Sequence, residues 1–307
     1  MRIIARADIL LHTACAALLI FGIVALSIAS LHPAWGLLAA PAVAVYAALA
    51  LRQPIRRKRL TRHPMQASWR NALLREVRFY RNLDPTGRER FERNVRYFLA
   101  EQKIEGVAGV KITDEIRLLI AAGAAVLLHG QPEWEFPRRH TILVYPGGGF
   151  DDKFRCSRRG PFLGRTYGQG PVIIALDALI DGWRVPSGNN VALHEFAHLL
   201  DMHGARADGI PRMLNPAAAG AWLALVHREM MKVETHHSLL RAYAAENEAE
   251  FFAVAVEYFF DRPVELKKRH AELYAALAQF FNQDPASRQQ MDPRQVGQVN
   301  WQFPSPF

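Results

Sequence analysis

The sequence predicts an α+β fold that is mostly helical with a small sheet and is preceded by two transmembrane helices. Three observations lead to this fold class. Helical spacing of apolar residues dominates residues 66–130 and returns from residue 189 onward. Two short runs rich in β-branched and aromatic residues, 140–146 and 170–176, predict the strands. Two long apolar runs precede all of these segments.

The N-terminal apolar runs have the length of membrane-spanning helices. Residues 8–31 contain few polar side chains after Asp8, and about 20 apolar residues cross a bilayer core as a helix. The second run, 34–51, contains Pro41, which a membrane helix tolerates, and only a short turn separates the two runs. A cleaved signal peptide and a pair of buried helices are the alternatives.

Positive charge predicts the orientation of this hairpin. Arg2 and Arg6 precede the first run, a basic cluster from Arg52 to Arg62 follows the second, and the loop between the runs has no Lys or Arg. Because basic flanks stay on the cytoplasmic side, both ends are expected there. We therefore predict that residues 1–62 form a membrane hairpin with a basic juxtamembrane segment. The protein is expected in the inner (cytoplasmic) membrane, with its catalytic domain facing the cytoplasm.

Composition limits the remaining possibilities. The chain has 307 residues, a formal net charge of +9 and two cysteines, too few for a disulfide framework or a site of four thiolates. Much of the positive charge lies in residues 52–62, so the net charge can be explained without a nucleic-acid-binding surface. No nucleic-acid partner is therefore expected. Residues 63–285 are predicted to form the main domain, and residues 286–307 a loose, polar C-terminal tail.

The segment 185–204 carries the most informative motif. Its apolar spacing predicts a helix, for which Ser187 or Asn189 can serve as the N-cap. On this helix His194 and His198 are four residues apart and share a face. Two imidazoles in this arrangement can bind one zinc ion.

Glu195 completes an H-E-x-x-H arrangement. Its carboxylate can reach a water molecule on the same metal, whose pKa zinc lowers, and can transfer the proton to the leaving amine of a peptide. Apolar residues fill the rest of this helix, so two imidazoles and a carboxylate without a metal would be costly to bury. The motif therefore predicts a zinc metallopeptidase with Glu195 as general base.

A catalytic zinc site needs a third protein ligand and one open position. In the extended motif with a third histidine, that histidine would stand at position 204, which is Gly204, and His203 is out of register. A glutamate from the helix predicted within residues 241–260 is the alternative. The candidates are Glu246, Glu248, Glu250 and Glu257. Glu250 begins an apolar stretch, and Glu257 could instead hydrogen-bond a ligand histidine.

Three segments together resemble a known family. They are HEFAHLLD at 194–201, YAAENEAEFFAVAVEYFF at 243–260 and YGQGPVIIAL at 167–176. The chain is similar, over roughly residues 70–290, to Mlc titration factor A and its zinc-dependent peptidase relatives. The second segment also looks like its counterpart in lethal-factor catalytic domains, whose third zinc ligand is a glutamate. The resemblance implies a zincin-like, gluzincin-type fold with one Zn²⁺ per chain.

The resemblance also implies roles for individual residues. Glu250 would be the third zinc ligand beside His194 and His198. Tyr243 would match the family's tyrosine near the zinc, which can donate a hydrogen bond to the developing oxyanion; the alternative is a surface tyrosine before the helix. The implied activity is hydrolysis of a peptide or protein substrate with aminopeptidase character.

The family also suggests a second hypothesis and two supporting roles. Its named member binds a transcriptional repressor of sugar uptake, so this chain could be a regulatory binding protein with weak or no peptidase activity. The strand at 170–176 is expected to be an edge strand that pairs with extended substrate, or an ordinary core strand. Asp201 is expected to orient a ligand histidine or to cap local backbone.

Overall fold

The computed structural model describes most of the chain, in two compact units, Met1–Pro64 and Met65–Phe307. The described residues are 6–29, 39–136, 141–148, 163–166, 170–203 and 206–287. The first unit contains helices α1 (Arg6–Ala29) and α2 (Ala39–Leu60). The predicted C-terminal tail lies almost entirely outside the described residues.

The prediction of two transmembrane helices is wrong. No helix in the described part of the chain combines the length and the apolar character that crossing a membrane requires. In α1, Arg6, Asp8 and His12 occupy the first two turns, and α2 begins only at Ala39 and becomes basic from Arg52. Within the described residues, the part of α1 after His12 and the part of α2 before Arg52 are each shorter than the about 20 residues that typically span a bilayer core. The inner-membrane location predicted from these helices is therefore also wrong, and a hairpin that contacts a membrane is not supported.

The second unit is mostly helical with a small mixed sheet, as the sequence predicts. Its helices are α3 (Ala67–Glu76), α4 (Arg78–Arg81), α5 (Pro85–Glu101), α6 (Asp114–Leu127), α7 (Leu176–Arg184), α8 (Val191–Asp201), α9 (Ala219–Glu234), α10 (Glu248–Asp261), α11 (Pro263–Arg269) and α12 (Ala271–Phe281). Short 3₁₀ helices cover Pro216–Ala218 and Ala242–Ala245. The strands are β1 (Lys103–Gly106), β2 (Thr141–Tyr145), β3 (Gly164–Thr166), β4 (Val172–Ala175), β5 (Met202–His203) and β6 (Arg206–Ala207).

The sheet places one short strand beside the motif helix. Its strand order among the described residues is β1-β2-β4-β3, with β1, β2 and β4 parallel and β3 antiparallel to β4. Because β4 lies between β2 and β3, the expectation that residues 170–176 form an edge strand is wrong. Among the described residues, β3 is the terminal strand on the side of the sheet near the motif, and β3 contacts α8.

Helix α8 is the centre of the second unit. It packs against α6 on one side and α10 on the other, and every one of its residues is buried. Gly123 permits the close approach of α6, since a Cβ atom there would lie 2.9 Å from the Cβ atom of Ala192. Thr113 is the N-cap of helix α6, and its side chain accepts a hydrogen bond from the Ile116 backbone N–H. The motif is thus held between two apolar helices.

Candidate metal centre

The N-terminus of α8 is set by Asn190. Its side chain accepts a hydrogen bond from the Leu193 backbone N–H at 3.2 Å, which makes Asn190 the N-cap. Ser187 and Asn189, the caps that the sequence suggested, precede the helix start. The backbone N–H of Asn190 also donates to Glu257 Oε2 at 2.5 Å, so the start of α8 is bonded to α10.

Two helices bring three possible metal ligands together. His194 and His198 of α8 and Glu250 of α10 present ligand atoms that all lie within 4.8 Å of one another. His194 Nε2 lies 3.0 Å from Glu250 Oε2 and 3.2 Å from His198 Nε2. The distance from His198 Nε2 to Glu250 Oε2 is 3.4 Å. We call these three residues the metal cluster, because they could hold a metal ion.

The donor set fits a metal ion such as zinc. Two imidazole nitrogens and one carboxylate oxygen are ligands that zinc takes in proteins. His194 Nδ1 lies 2.7 Å from Glu257 Oε1, so the proton belongs on Nδ1 and the Nε2 lone pair faces the cluster. His194 Nε2 and the Glu250 carboxylate oxygen are only 3.0 Å apart, so their lone pairs repel unless a proton on Nε2 or a metal ion lies between them.

The electrostatics of His194 show how negative this site is. Burial alone lowers the pKa of His194, but the charge of Glu257 and hydrogen bonds to Glu250 and Glu257 outweigh it and raise the pKa to about 10. The same contacts hold the pKa of Glu250 well below its usual range despite partial burial. Two carboxylates around buried imidazoles therefore favour positive charge at this position.

Glu257 connects the cluster to the rest of the unit. It is fully buried and accepts hydrogen bonds from His194, from the Asn190 backbone and from Arg241 Nη2, the last at 2.5 Å. Arg241 Nη1 donates in turn to the Gly188 carbonyl oxygen at 2.5 Å. Glu257 thus makes the contact with a candidate ligand histidine that its position on the helix suggested. Sequence reasoning missed Arg241, although a basic residue two positions before Tyr243 was a usable signal.

Glu195 lies beside the cluster and against strand β3. Its side chain is 3% exposed, and Thr166 Oγ1 donates to its Oε2 at 2.6 Å. A Cβ atom at position 164 would lie 2.1 Å from Glu195 Oε1, so only Gly164 allows the strand to come this close. Burial raises the pKa of Glu195, an effect that nearby imidazoles and Thr166 partly offset. Neither Thr166 nor Gly164 was identified from the sequence.

Tyr243 lies at the surface next to the cluster. It belongs to the 3₁₀ helix before α10, its side chain is 43% exposed, and its ring centroid is 6.0 Å from that of His194. Burial and then the negative charge of Glu250 raise the pKa of the phenol, so the hydroxyl keeps its proton. Tyr243 is therefore able to donate a hydrogen bond at the exposed side of the cluster.

The remaining sequence candidates lie outside the cluster. Asp201 Oδ2 accepts a hydrogen bond from the Gly209 backbone N–H at 2.9 Å, and burial raises the pKa of Asp201 to about 6. Of its two expected roles, capping local backbone is the one with a contact in the described residues. Glu248 Oε1 lies 3.0 Å from His227 Nε2 at the surface. Among the four candidate glutamates, Glu250 is the one in the cluster.

Comparison with known proteins agrees with the resemblance seen in the sequence. The model of the family described as glucose-regulated metallo-peptidase M90 matches residues 52–282. The uncharacterized protein slr2042 of Synechocystis is 30% identical over 249 residues, covering 75% of this chain and 89% of that protein. Mlc titration factor A of Serratia proteamaculans is 30% identical over 245 residues, 73% and 90% of the two chains.

A further relative, Mlc titration factor A of Yersinia enterocolitica, is 28% identical over 241 residues, which is 73% of this chain and 88% of the relative. The family match, over residues 52–282, covers most of the second unit and includes its metal cluster. This chain therefore belongs to the glucose-regulated metallo-peptidase M90 family.

Proposed function

We propose that this protein is a zinc-dependent metallopeptidase whose zinc is held by His194, His198 and Glu250. One observation carries the proposal: three side chains from two helices direct ligand atoms to one point, with Glu195 adjacent on the same helix. A purely structural zinc site fills its fourth position with another ligand. The described residues offer no fourth histidine, cysteine or acid to this group. A set of three protein ligands suits a catalytic metal site, in which the fourth coordination position stays open for a reactant.

Each residue of the site has a separate proposed role in hydrolysis. When bound, zinc would act as a Lewis acid toward a peptide carbonyl and lower the pKa of water. Glu195 takes the proton of the attacking water and delivers it to the leaving amine, and its raised pKa suits a base that must later act as an acid. Tyr243 donates a hydrogen bond to the oxyanion that forms as water adds to the carbonyl. Glu257 acts through His194 by fixing its tautomer and orientation.

The substrate is proposed to be a peptide chain bound in extended form beside β3. In the part of the chain that the structure describes, this strand is an edge of the sheet. It contacts Glu195 through Thr166, so a peptide paired with it would lie next to the base. Aminopeptidase character rests on the resemblance to the zinc-dependent peptidase relatives. The domain that performs the reaction is proposed to be residues 63–285.

Metal removal tests the proposed activity directly. We expect chelation to abolish cleavage of aminoacyl p-nitroanilides, because the carbonyl then has no Lewis acid, and one zinc per chain to restore it. Calcium serves as the control cation, since it prefers six to eight oxygen ligands and should restore nothing. Full-rate cleavage by the metal-free chain would refute the proposal. Comparison with N-acetylated peptides of the same sequence measures the preference for a free amino terminus.

A second candidate function is the binding of a transcription regulator, with weak or no peptidase activity. The names of two relatives, Mlc titration factor A, favour it. The two functions separate at Glu195, because binding a regulator does not require a general base beside a metal ion. If the wild-type chain hydrolyses no peptide but still binds the regulator, this second function is favoured.

A further inference from the structure

A cavity of about 500 Å³ lies in the second unit away from the metal cluster. Its apolar wall includes Phe79, Val126, Leu193 and Phe260. None of the three cluster residues, nor Glu195 or Tyr243, lines it. Small-molecule sites in proteins are typically about 300–1,000 Å³ with mostly apolar linings and a few polar groups. The size and the wall of this cavity match that description.

Two polar atoms at this cavity are buried without a hydrogen-bond partner in the described residues. They are Trp183 Nε1 and Asp261 Oδ2, and both residues line the cavity. Burial, followed by the charge of Glu257, raises the pKa of Asp261 to about 8, although a hydrogen bond from the Gly188 backbone opposes this shift. Asp261 is therefore mostly protonated at neutral pH and can donate. A buried donor without an acceptor is destabilising, so both groups would gain from an acceptor on a ligand.

Exposed arginines stand at the rim of the same cavity. Arg75 is engaged by Glu76, whereas the guanidinium groups of Arg78 and Arg184 have neither an ion pair nor a hydrogen bond to any described residue. Asp284, an acidic residue of the rim, accepts a hydrogen bond from a tyrosine hydroxyl. The rim thus offers two guanidinium groups whose planar donors suit carboxylate, sulfonate or phosphate oxygens, and the charge of Arg78 also acts on Asp261.

We propose that this cavity binds a small amphiphilic anion, with an aromatic or aliphatic body and one terminal acidic group. The body packs against the wall that includes Phe79, Phe260 and Leu193, where it removes apolar surface from water. The acidic group lies at the rim with Arg78 and Arg184. A polar atom on the body accepts from Trp183 Nε1. This site is separate from the proposed peptidase centre, so its occupancy can be measured without an activity assay.

The probe for this site is 1-anilinonaphthalene-8-sulfonate, whose fluorescence rises in apolar surroundings. We expect saturable binding of one molecule per folded chain, measured by fluorescence and by calorimetry. Its uncharged analogue, N-phenyl-1-naphthylamine, is expected to bind about tenfold more weakly, a difference of about 1.4 kcal/mol. Octanoate should displace the sulfonate probe at lower concentration than octanol does. Equal affinity for the charged and uncharged probes would overturn the assignment of an anion site.

Matched variants locate the site. Val264 lines the cavity and is 65% exposed, so Val264→Trp is expected to block the mouth without disturbing the core and to abolish binding of both probes. Met231, which is 57% exposed on α9 and does not line the cavity, supplies the control Met231→Trp. Probe affinity that stays unchanged in Val264→Trp, or that falls equally in Met231→Trp, would overturn the proposal.

The charge of the rim is tested separately. The double variant Arg78→Ala, Arg184→Ala is expected to bind the sulfonate probe about tenfold more weakly and the uncharged probe as before. Arg212, an exposed arginine outside the lining, gives the control Arg212→Ala, which should change neither affinity. An unchanged affinity of the double variant for the sulfonate probe would contradict the role of the two arginines.

Discussion

Replacing Glu195 with glutamine is expected to abolish peptide hydrolysis while zinc content stays at one per chain. The amide has the size of the carboxylate and its oxygen still accepts from Thr166 Oγ1, but it cannot accept a proton from water at neutral pH. General base catalysis contributes about 10²–10⁴-fold, so kcat should fall by at least that range. The measurement is steady-state hydrolysis together with metal analysis of the same sample.

The control for this variant is Glu234→Gln. Glu234 is an exposed residue at the end of α9 and belongs to none of the groups around the metal cluster. Its replacement should leave both kcat and zinc content at wild-type values. Wild-type hydrolysis by the Glu195→Gln variant would remove Glu195 from the mechanism, and loss of zinc from that variant would make it a ligand instead of a base.

Glu250→Gln is expected to weaken zinc binding by more than about 100-fold. Loss of a hydrogen-bond partner of a metal ligand already costs about 10–100-fold in affinity, and Glu250 is proposed to be a ligand itself. A neutral amide also removes the negative charge that lies 3.0 Å from His194 Nε2. Competition with a chelator of known affinity measures the change. Hydrolysis at limiting zinc should fall in parallel.

Glu248→Gln provides a matched control two residues earlier on the same helix. Glu248 lies at the surface beside His227 and has no contact with the cluster, so its replacement should leave zinc affinity unchanged. A loss of affinity in Glu248→Gln without one in Glu250→Gln would show that the wrong carboxylate has been assigned.

The parts of the site that the sequence predicted are those encoded by helical spacing. His194 and His198 are separated by four positions, and Glu250 and Glu257 by seven. These separations place each pair on one face of its helix whatever the rest of the chain does. Pairing the two helices required only that their apolar faces pack together. The family resemblance then selected Glu250 among the four candidates, and the structure places that residue with the two histidines.

The parts that could not be predicted depend on tertiary placement. Thr166 contacts Glu195 because β3 pairs with β4 on the side opposite β2. The order of strands in a sheet cannot be predicted from the local sequence of each strand. Arg241 reaches Glu257 across 16 positions through a 3₁₀ helix that the helical pattern does not reveal. The prediction of membrane-spanning helices was wrong because the length of an apolar run in the sequence does not show where a helix begins. It also does not show how many of the helix turns carry charged residues.

X-ray absorption spectroscopy of the zinc-loaded chain is the decisive test of the proposed zinc site, because it reports the atoms bound to the metal. We expect two imidazole nitrogens and oxygen ligands at about 2.0–2.2 Å, without sulfur. The imidazole contribution should be preserved in Glu195→Gln, which leaves the ligands intact. A sulfur ligand at about 2.3 Å, or a spectrum without imidazole, would contradict a zinc site built from His194, His198 and Glu250.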